Sequence, residues 1–188
     1  IARELAQYQL HCVLVEAAPD VGMGTSKAST AIWHTGFDAT PGSLEARLLQ
    51  RSYPLMERYV VEAGVPVERL GAILVAWTEE QRQSLPALRQ RAHQNGVTDV
   101  ALWPAAEIYH QEPHLHEGAL GGLYVPGEGI LCTFTLPLAL ATQAVVNEVT
   151  LKLNFPVQQI TATAEGIWQL HGAGGSVDCR YVVNAAGL

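Results

Sequence analysis

The chain has 188 residues, 48% of them hydrophobic, with 17 glycines and a formal net charge of −7. This length can bury one sizeable core and leaves little room for two independent units, because domains typically run to about 100–200 residues. The charge argues against nucleic acid or an anionic membrane surface as partner: Lys27 and Lys152 are the only lysines, the arginines are scattered, and counterion release requires clustered cations.

The first 25 or so residues read as helix, strand and glycine loop. Ile1, Ala2, Leu5, Ala6 and Tyr8 share a helical face, and Cys12-Val13-Leu14-Val15 has the length and branching of a buried parallel strand ending at Glu16. The segment from Ala17 to Thr30 is rich in small residues and includes Gly22 and Gly24, which is loop chemistry. Ser43 as N-cap and Gly64 as C′ residue bound a helix from Leu44 to Ala63 with an apolar stripe of Leu44, Leu48, Leu55 and Tyr59. Pro54 is expected to kink or split it. A strand follows over Gly71–Ala76, and Thr78-Glu79-Glu80-Gln81 is a capping box opening a helix that Asn95-Gly96 closes. Gly121–Val125 reads as a strand and Pro137–Val149 as a helix with Pro137 in its first turn. Short strands are then expected over Leu151–Asn154, Val157–Thr163, Ile167–His171 and Cys179–Asn184, with turns at Glu165-Gly166 and Gly172–Gly175.

No apolar run reaches the roughly 18 residues that span a bilayer, and no basic region with an apolar stretch and cleavage site opens the chain. A soluble, cytoplasmic protein is the expectation, with peripheral membrane or partner-subunit association left open. Cys12, Cys132 and Cys179 are odd in number, far apart and without a Cys-x-x-Cys pair, so buried thiols are favoured over a disulfide framework or a zinc knuckle. His110, Glu112, His114, His116 and Glu117 are dense in metal-ligand types, and His110 and His114 have i, i+4 spacing. Pro113 interrupts that helix, which favours solvated loop histidines, and no metal is expected.

A helix feeding a buried strand that ends in a carboxylate is half of a dinucleotide-binding unit, in which the acidic residue accepts the ribose hydroxyls. Glu16 occupies that place, although a strand-terminal glutamate is more often simply solvated. The chain opens at Ile1 in mid-motif, with no Gly-x-Gly-x-x-Gly before the helix. Gly22 to Ala31 combines small residues, hydroxyls and Lys27, a composition that lets backbone amides approach a diphosphate and equally suits an ordinary polar loop. Val182 to Gly187 is an apolar run passing into small residues, which suits close packing on a cofactor or a plain strand end.

The string VEAAPDVGMGTSKASTAIWHTGFDATPGSLEARL, with Glu112-Pro113, LYVPGEGI at Leu123–Ile130 and VVNAAGL at the end, resembles the FAD-dependent oxidoreductases of the D-amino-acid oxidase and glycerol-3-phosphate dehydrogenase superfamily. The branch with L-2-hydroxyglutarate oxidases and anaerobic-type glycerol-3-phosphate dehydrogenases is the most similar. The resemblance covers nearly the whole chain in order and implies an α/β fold: an interrupted FAD-binding Rossmann-like domain of glutathione-reductase type with part of an inserted α+β substrate domain. It implies an FAD-binding first part over residues 1–70, a partial substrate domain over 71–135 and an FAD-binding second part over 136–188, truncated at both ends. By the same resemblance Glu16 would hold the adenosine ribose, and Ser26, Lys27, Ala28 and Ser29 would line the diphosphate and flavin. Val157 would present its backbone to the adenine side, and Ala185, Ala186 and Gly187 would pack against the dinucleotide.

His34, in Trp33-His34-Thr35-Gly36, matches the family segment beside the isoalloxazine, where an imidazole could position substrate or exchange a proton; the residue's own chemistry also suits a structural histidine. Relatives that oxidise glycerol 3-phosphate can carry an arginine four residues later, where this chain has Asp38, a carboxylate that would repel a dianion. The implied activity is hydride transfer from a small hydroxyacid, glycerol 3-phosphate or similar alcohol, less so an amine, to FAD, with electrons passing to oxygen, a quinone or another carrier. The chain by itself is expected to be inactive. The alternative is a noncatalytic fragment or interaction module that keeps the fold without FAD.

Overall fold

The structure is a computed structural model that describes residues 1–187; Leu188, the end of the VVNAAGL string, lies outside the described residues. In chain order the first elements are α1 (Ala2–Leu5), β1 (Val13–Val15), β2 (Ile32–Trp33), α2 (Leu44–Glu62), β3 (Val67–Glu68) and β4 (Ala72–Ala76). Then come α3 (Glu79–Gln94), β5 (Ala101–Trp103), α4 (Ala105–Gln111), β6 (Gly121–Val125), β7 (Gly129–Leu131) and α5 (Thr135–Val146). The chain closes through β8 (Thr150–Lys152), β9 (Val157–Ala162), β10 (Trp168–Gly172) and β11 (Gly175–Cys179).

The chain divides into two compact units, one built from Ile1–Thr30 with Thr133–Leu188 and the other from Ala31–Cys132. The divisions fall after Thr30 and Cys132, against limits of 70 and 135 expected from sequence. In the first unit β1 pairs in parallel with β8, and β9, β10 and β11 form an antiparallel meander. In the second unit β2, β7 and β3 form one small antiparallel sheet, and β4, β6 and β5 another. The core of the second unit gathers Phe37, Ala76, Leu85, Ala92, Val100, Leu123 and Val125, with Leu88 and Val97 at its margin.

Local chemistry accounts for the helices. Ser43 Oγ accepts from the Ala46 amide at 3.1 Å and caps α2. At the start of α3 the Thr78 hydroxyl accepts from the Gln81 amide while the Gln81 side chain accepts from the Thr78 amide, which completes the capping box. Pro54 does not split α2: the helix runs on through it, because a missing amide removes one bond from a ladder that tertiary packing supports. The expected stripe is corrected, since Leu44, Leu48 and Leu55 are exposed. The buried residues are Ala46, Tyr59 and Val60, and Leu49 and Tyr53 supply further packing of this helix against Gly36 and Trp33.

Two further expectations change. The first helix covers Ala2–Leu5 rather than Ile1–Tyr8, having no side-chain cap, and Tyr8 is exposed. The strand expected over Cys179–Asn184 ends at Cys179, because Gly175 pairs with Gly172 across a two-residue turn and the third meander strand begins there. Tyr181 to Asn184 has no strand partner among the described residues, and a strand without a ladder leaves its backbone groups to solvent.

Candidate functional site

In the second unit, β2 and β7 run antiparallel with Ile32 opposite Ile130 and Trp33 opposite Gly129. Continuing that register by one residue sets Glu128 across from His34. The Glu128 side chain is buried, 2% exposed, and His34 Nδ1 lies 3.0 and 3.1 Å from its two carboxylate oxygens. Thr35 donates twice to the same carboxylate, from its amide at 2.7 Å and its hydroxyl at 2.6 Å. On the other edge of the ring, His34 Nε2 lies 3.1 Å from Asp38 Oδ1, whose side chain is exposed.

The protonation state follows from these partners. An ionised carboxylate only accepts, so a ring nitrogen facing one must donate, and His34 faces a carboxylate at each nitrogen. The hydrogen bond to Glu128 raises the His34 pKa above its ordinary 6.5; burial opposes this, and the charges of Glu128 and Asp38 add to it. For Glu128, burial is the largest single influence and pushes its pKa up. The hydrogen bonds from His34 and Thr35, with the imidazolium charge, together outweigh burial and hold it below the ordinary 4.5. The result is an imidazole whose protonated form is favoured by a buried carboxylate at one nitrogen and an exposed carboxylate at the other.

The surroundings keep this cluster in place. Phe37 meets the imidazole edge-on at 5.6 Å between ring centroids. Trp33 stacks on Tyr53 at 4.8 Å, and the Arg69 guanidinium lies 4.7 Å over the Trp33 ring. The Tyr53 hydroxyl donates to the Gly127 carbonyl. A Cβ at Gly127 would sit 2.9 Å from the Thr35 methyl, so only glycine lets the turn before Glu128 approach this closely. Asn95, also 2% exposed, donates from Nδ2 to the carbonyls of Gly36 at 2.9 Å and Ala39 at 2.8 Å. That bond pins the loop carrying His34 and Asp38 to the end of α3.

The candidate cofactor-binding residues lie in the first unit, and His34 does not share it. Glu16 follows β1 at the carboxyl end of a parallel pair, with its amide bonded to the Lys152 carbonyl at 2.9 Å. Its Oε1 accepts from the Ala18 amide at 2.9 Å. Lys27 Nζ reaches Met23 Sδ at 3.3 Å, and its carbonyl accepts from the Thr133 hydroxyl at 3.2 Å. Ser26, Ala28 and Ser29 are exposed on the same loop. Val157 opens β9 and is exposed, as are Ala185, Ala186 and Gly187. Among the His110–Glu117 group, α4 ends at Gln111, so His110 and His114 share no helix.

One observation in these segments fits a dinucleotide. The Glu16 carboxylate stands half-buried outside the carboxyl end of a parallel strand, where α/β folds bind nucleotides, and it keeps accepting capacity beyond its one backbone bond.

A mixed α/β chain with a carboxylate at the end of a parallel strand has the arrangement on which α/β folds bind nucleotides. The chain belongs to the family described as "DAO: FAD dependent oxidoreductase", whose sequence profile matches residues 1–188. It is 33% identical over 188 residues to the glycerol 3-phosphate dehydrogenase of Caloramator mitchellensis, covering 100% of this chain and 39% of that protein. It is 31% identical over 123 residues to the mitochondrial L-2-hydroxyglutarate dehydrogenase of Caenorhabditis elegans, covering 65% of this chain and 28% of that protein. Among solved structures, the dithionite-reduced L-α-glycerophosphate oxidase of Mycoplasma pneumoniae with FAD bound superposes with a TM-score of 0.91 at 26% identity, covering 98% of this chain and 50% of that one. The chain thus spans half or less of the length of these relatives.

Glu128 is absent from the residues singled out in the sequence. Its only trace there is the Pro-Gly-Glu-Gly turn, and its role emerges once β2 and β7 are paired. No helix among the described residues is long and apolar enough to cross a membrane.

Proposed function

We propose that this chain is part of an FAD-dependent oxidoreductase acting on the CH–OH group of a small hydroxyacid, glycerol 3-phosphate or a similar alcohol. The observation that carries the reading is His34, held by Glu128 and Asp38 within a chain matched by the FAD-dependent oxidoreductase family over its whole length. FAD, when bound, supplies the acceptor for the two electrons and the hydrogen leaving the substrate carbon. In this reading Glu16 accepts the adenosine ribose, and Ser26, Lys27, Ala28 and Ser29 line the diphosphate and flavin. Val157 faces adenine, and Ala185, Ala186 and Gly187 lie along the dinucleotide. The functional division into an FAD-binding domain and an inserted substrate domain belongs to the same proposal.

His34 is the catalytic residue of this proposal: its Nε2 takes the hydroxyl proton as the substrate carbon becomes a carbonyl. As an imidazolium, His34 attracts and orients an anionic substrate; once its Nε2 proton has passed to solvent, the neutral ring serves as the base and takes the hydroxyl proton at Nε2. Asp38 favours a monoanionic or neutral group beside Nε2 over a phosphate dianion, while the names of the relatives support glycerol 3-phosphate. The electron acceptor is oxygen, a quinone or another carrier.

The test is anaerobic mixing of the flavin-loaded, full-length protein with glycerol 3-phosphate, L-2-hydroxyglutarate and glycine in turn, followed by flavin absorbance. Bleaching by a hydroxyl substrate supports the reading, and a folded protein that never takes up FAD refutes it. His34→Ala should slow the bleaching about a hundredfold with FAD still bound; unchanged bleaching returns His34 to a structural role.

A further inference from the structure

We infer that Glu128 is a positioning residue for His34, holding Nδ1–H so that Nε2 is the one nitrogen that exchanges a proton with substrate. The inference deepens the proposed function and rests on its assignment of His34. Three features of the geometry carry it. The Glu128 carboxylate is buried and cannot swing to solvent, and both its oxygens lie within hydrogen-bond distance of Nδ1. Two further donors come from Thr35, the next residue in the chain, so one carboxylate fixes both the ring and the backbone that carries it. Finally, the opposite nitrogen meets only an exposed carboxylate, which substrate can displace.

The two carboxylates therefore have unequal work. Glu128 keeps its proton donor in both charge states of the ring, because leaving a buried carboxylate without its donor is costly. When the ring loses a proton, it leaves from Nε2, and the neutral form is the Nδ1–H tautomer with a lone pair at Nε2. Asp38 holds the Nε2 proton until substrate takes its place. The charged and titratable groups packed around the imidazole are Glu128 and Asp38, with Arg91 donating to the Asp38 carbonyl at 3.4 Å. Tyr53 and Arg69 lie beyond, against the neighbouring Trp33. The raised His34 pKa and lowered Glu128 pKa have the directions this arrangement requires.

The experiment is a pH titration of the full-length protein with ¹⁵N-labelled histidines, read by NMR at His34, in the natural protein and in Glu128→Gln. The expected result is a neutral His34 carrying its proton on Nδ1. In Glu128→Gln the His34 pKa should fall by about one pH unit and the tautomer preference weaken. Flavin reduction should slow about tenfold or more, with its pH profile shifted in step, and Glu128→Asp should recover part of it. An Nε2–H tautomer in the natural protein overturns the inference even if Glu128→Gln fails to fold. So does a His34 titration that Glu128→Gln leaves unmoved. If His34→Ala leaves flavin reduction unchanged while the tautomer is Nδ1–H, the assigned role of His34 fails and its orientation by Glu128 does not. The two failures are thereby told apart.

Discussion

The His34 cluster and the glycine loop from Val21 to Thr30 are built in opposite ways. Around His34, side chains tie together residues far apart in sequence: Glu128 to His34 and Thr35, and Asn95 to Gly36 and Ala39. In the loop, the bonds are mostly local, such as the Lys27 amide to the Gly22 carbonyl, and most residues are exposed. The contrast fits the two kinds of work proposed for these regions. A group that handles a proton must be oriented before substrate arrives, which demands buried and saturated partners. A segment that lies along a diphosphate must leave its backbone amides open. Changes near His34 should therefore register in folding stability as well as function, and changes in the loop in cofactor binding alone.

The largest effect on stability is expected from Asn95→Ala. The substitution strips the donor from the buried Ala39 carbonyl, while the Gly36 carbonyl keeps the Ala39 amide at 3.2 Å, and an unsatisfied buried acceptor costs about 1–3 kcal/mol. Asn95 Oδ1 is itself buried without a partner among the described residues, and removing it offsets part of that loss. A net destabilisation of about 1–2 kcal/mol should appear in urea unfolding of the full-length protein. If unfolding is unchanged, the loop carrying His34 is not held from α3, and the contrast with the glycine loop breaks.

A smaller and pH-dependent effect belongs to the His34–Glu128 pair. His34 has a raised pKa, so its contribution is fully present below the ordinary 6.5 and is lost as pH rises through the folded value. Glu128 has a lowered pKa, so its contribution is fully present above the ordinary 4.5 and is lost as pH falls through the folded value. The two overlap fully between 4.5 and 6.5. The stability difference between the natural protein and Glu128→Gln should be greatest in that window and shrink on either side. A difference that falls at acid pH but does not shrink as pH rises above 6.5 would mean that the Thr35 bonds, and not the His34 charge, account for the contribution of the buried carboxylate.

The parts of the fold that could be read from sequence are those fixed by local chemistry. Ser43 and Thr78 start their helices with their own hydroxyls, and Asn95-Gly96 stops α3, because caps act within one turn. The strands β2, β3, β5 and β7 have two or three residues each and carry no period of their own; they exist through their neighbours. Glu128 went unseen for the same reason, since 94 residues separate it from His34 and only the β2–β7 register joins them. The glycines at 172–175 read as a single turn, yet the outer two are paired strand residues. His34 and Glu16 stand out through family resemblance, and the structure adds their partners: Glu128 and Asp38 for His34, and the Ala18 amide for Glu16.

The smallest stability effects should come from the first unit, where Glu16→Ala and Ser26→Ala test the other side of the contrast. Glu16 gives up one bond to the Ala18 amide at a half-buried strand end, and Ser26 is exposed. Each should therefore change unfolding stability in the absence of FAD by no more than about 0.5–1 kcal/mol. Their effect on FAD should differ. Glu16 is proposed to accept the ribose hydroxyls through a charged oxygen, so its loss should weaken FAD binding about tenfold or more, whereas one exposed hydroxyl in the loop should cost less than tenfold. Titrating FAD into cofactor-stripped full-length protein measures both. A Glu16→Ala variant that binds FAD as the natural protein does would remove the ribose assignment. A Ser26→Ala variant that unfolds much more easily would show a loop held by its side chains, and the division between a saturated proton site and an open nucleotide segment would no longer hold.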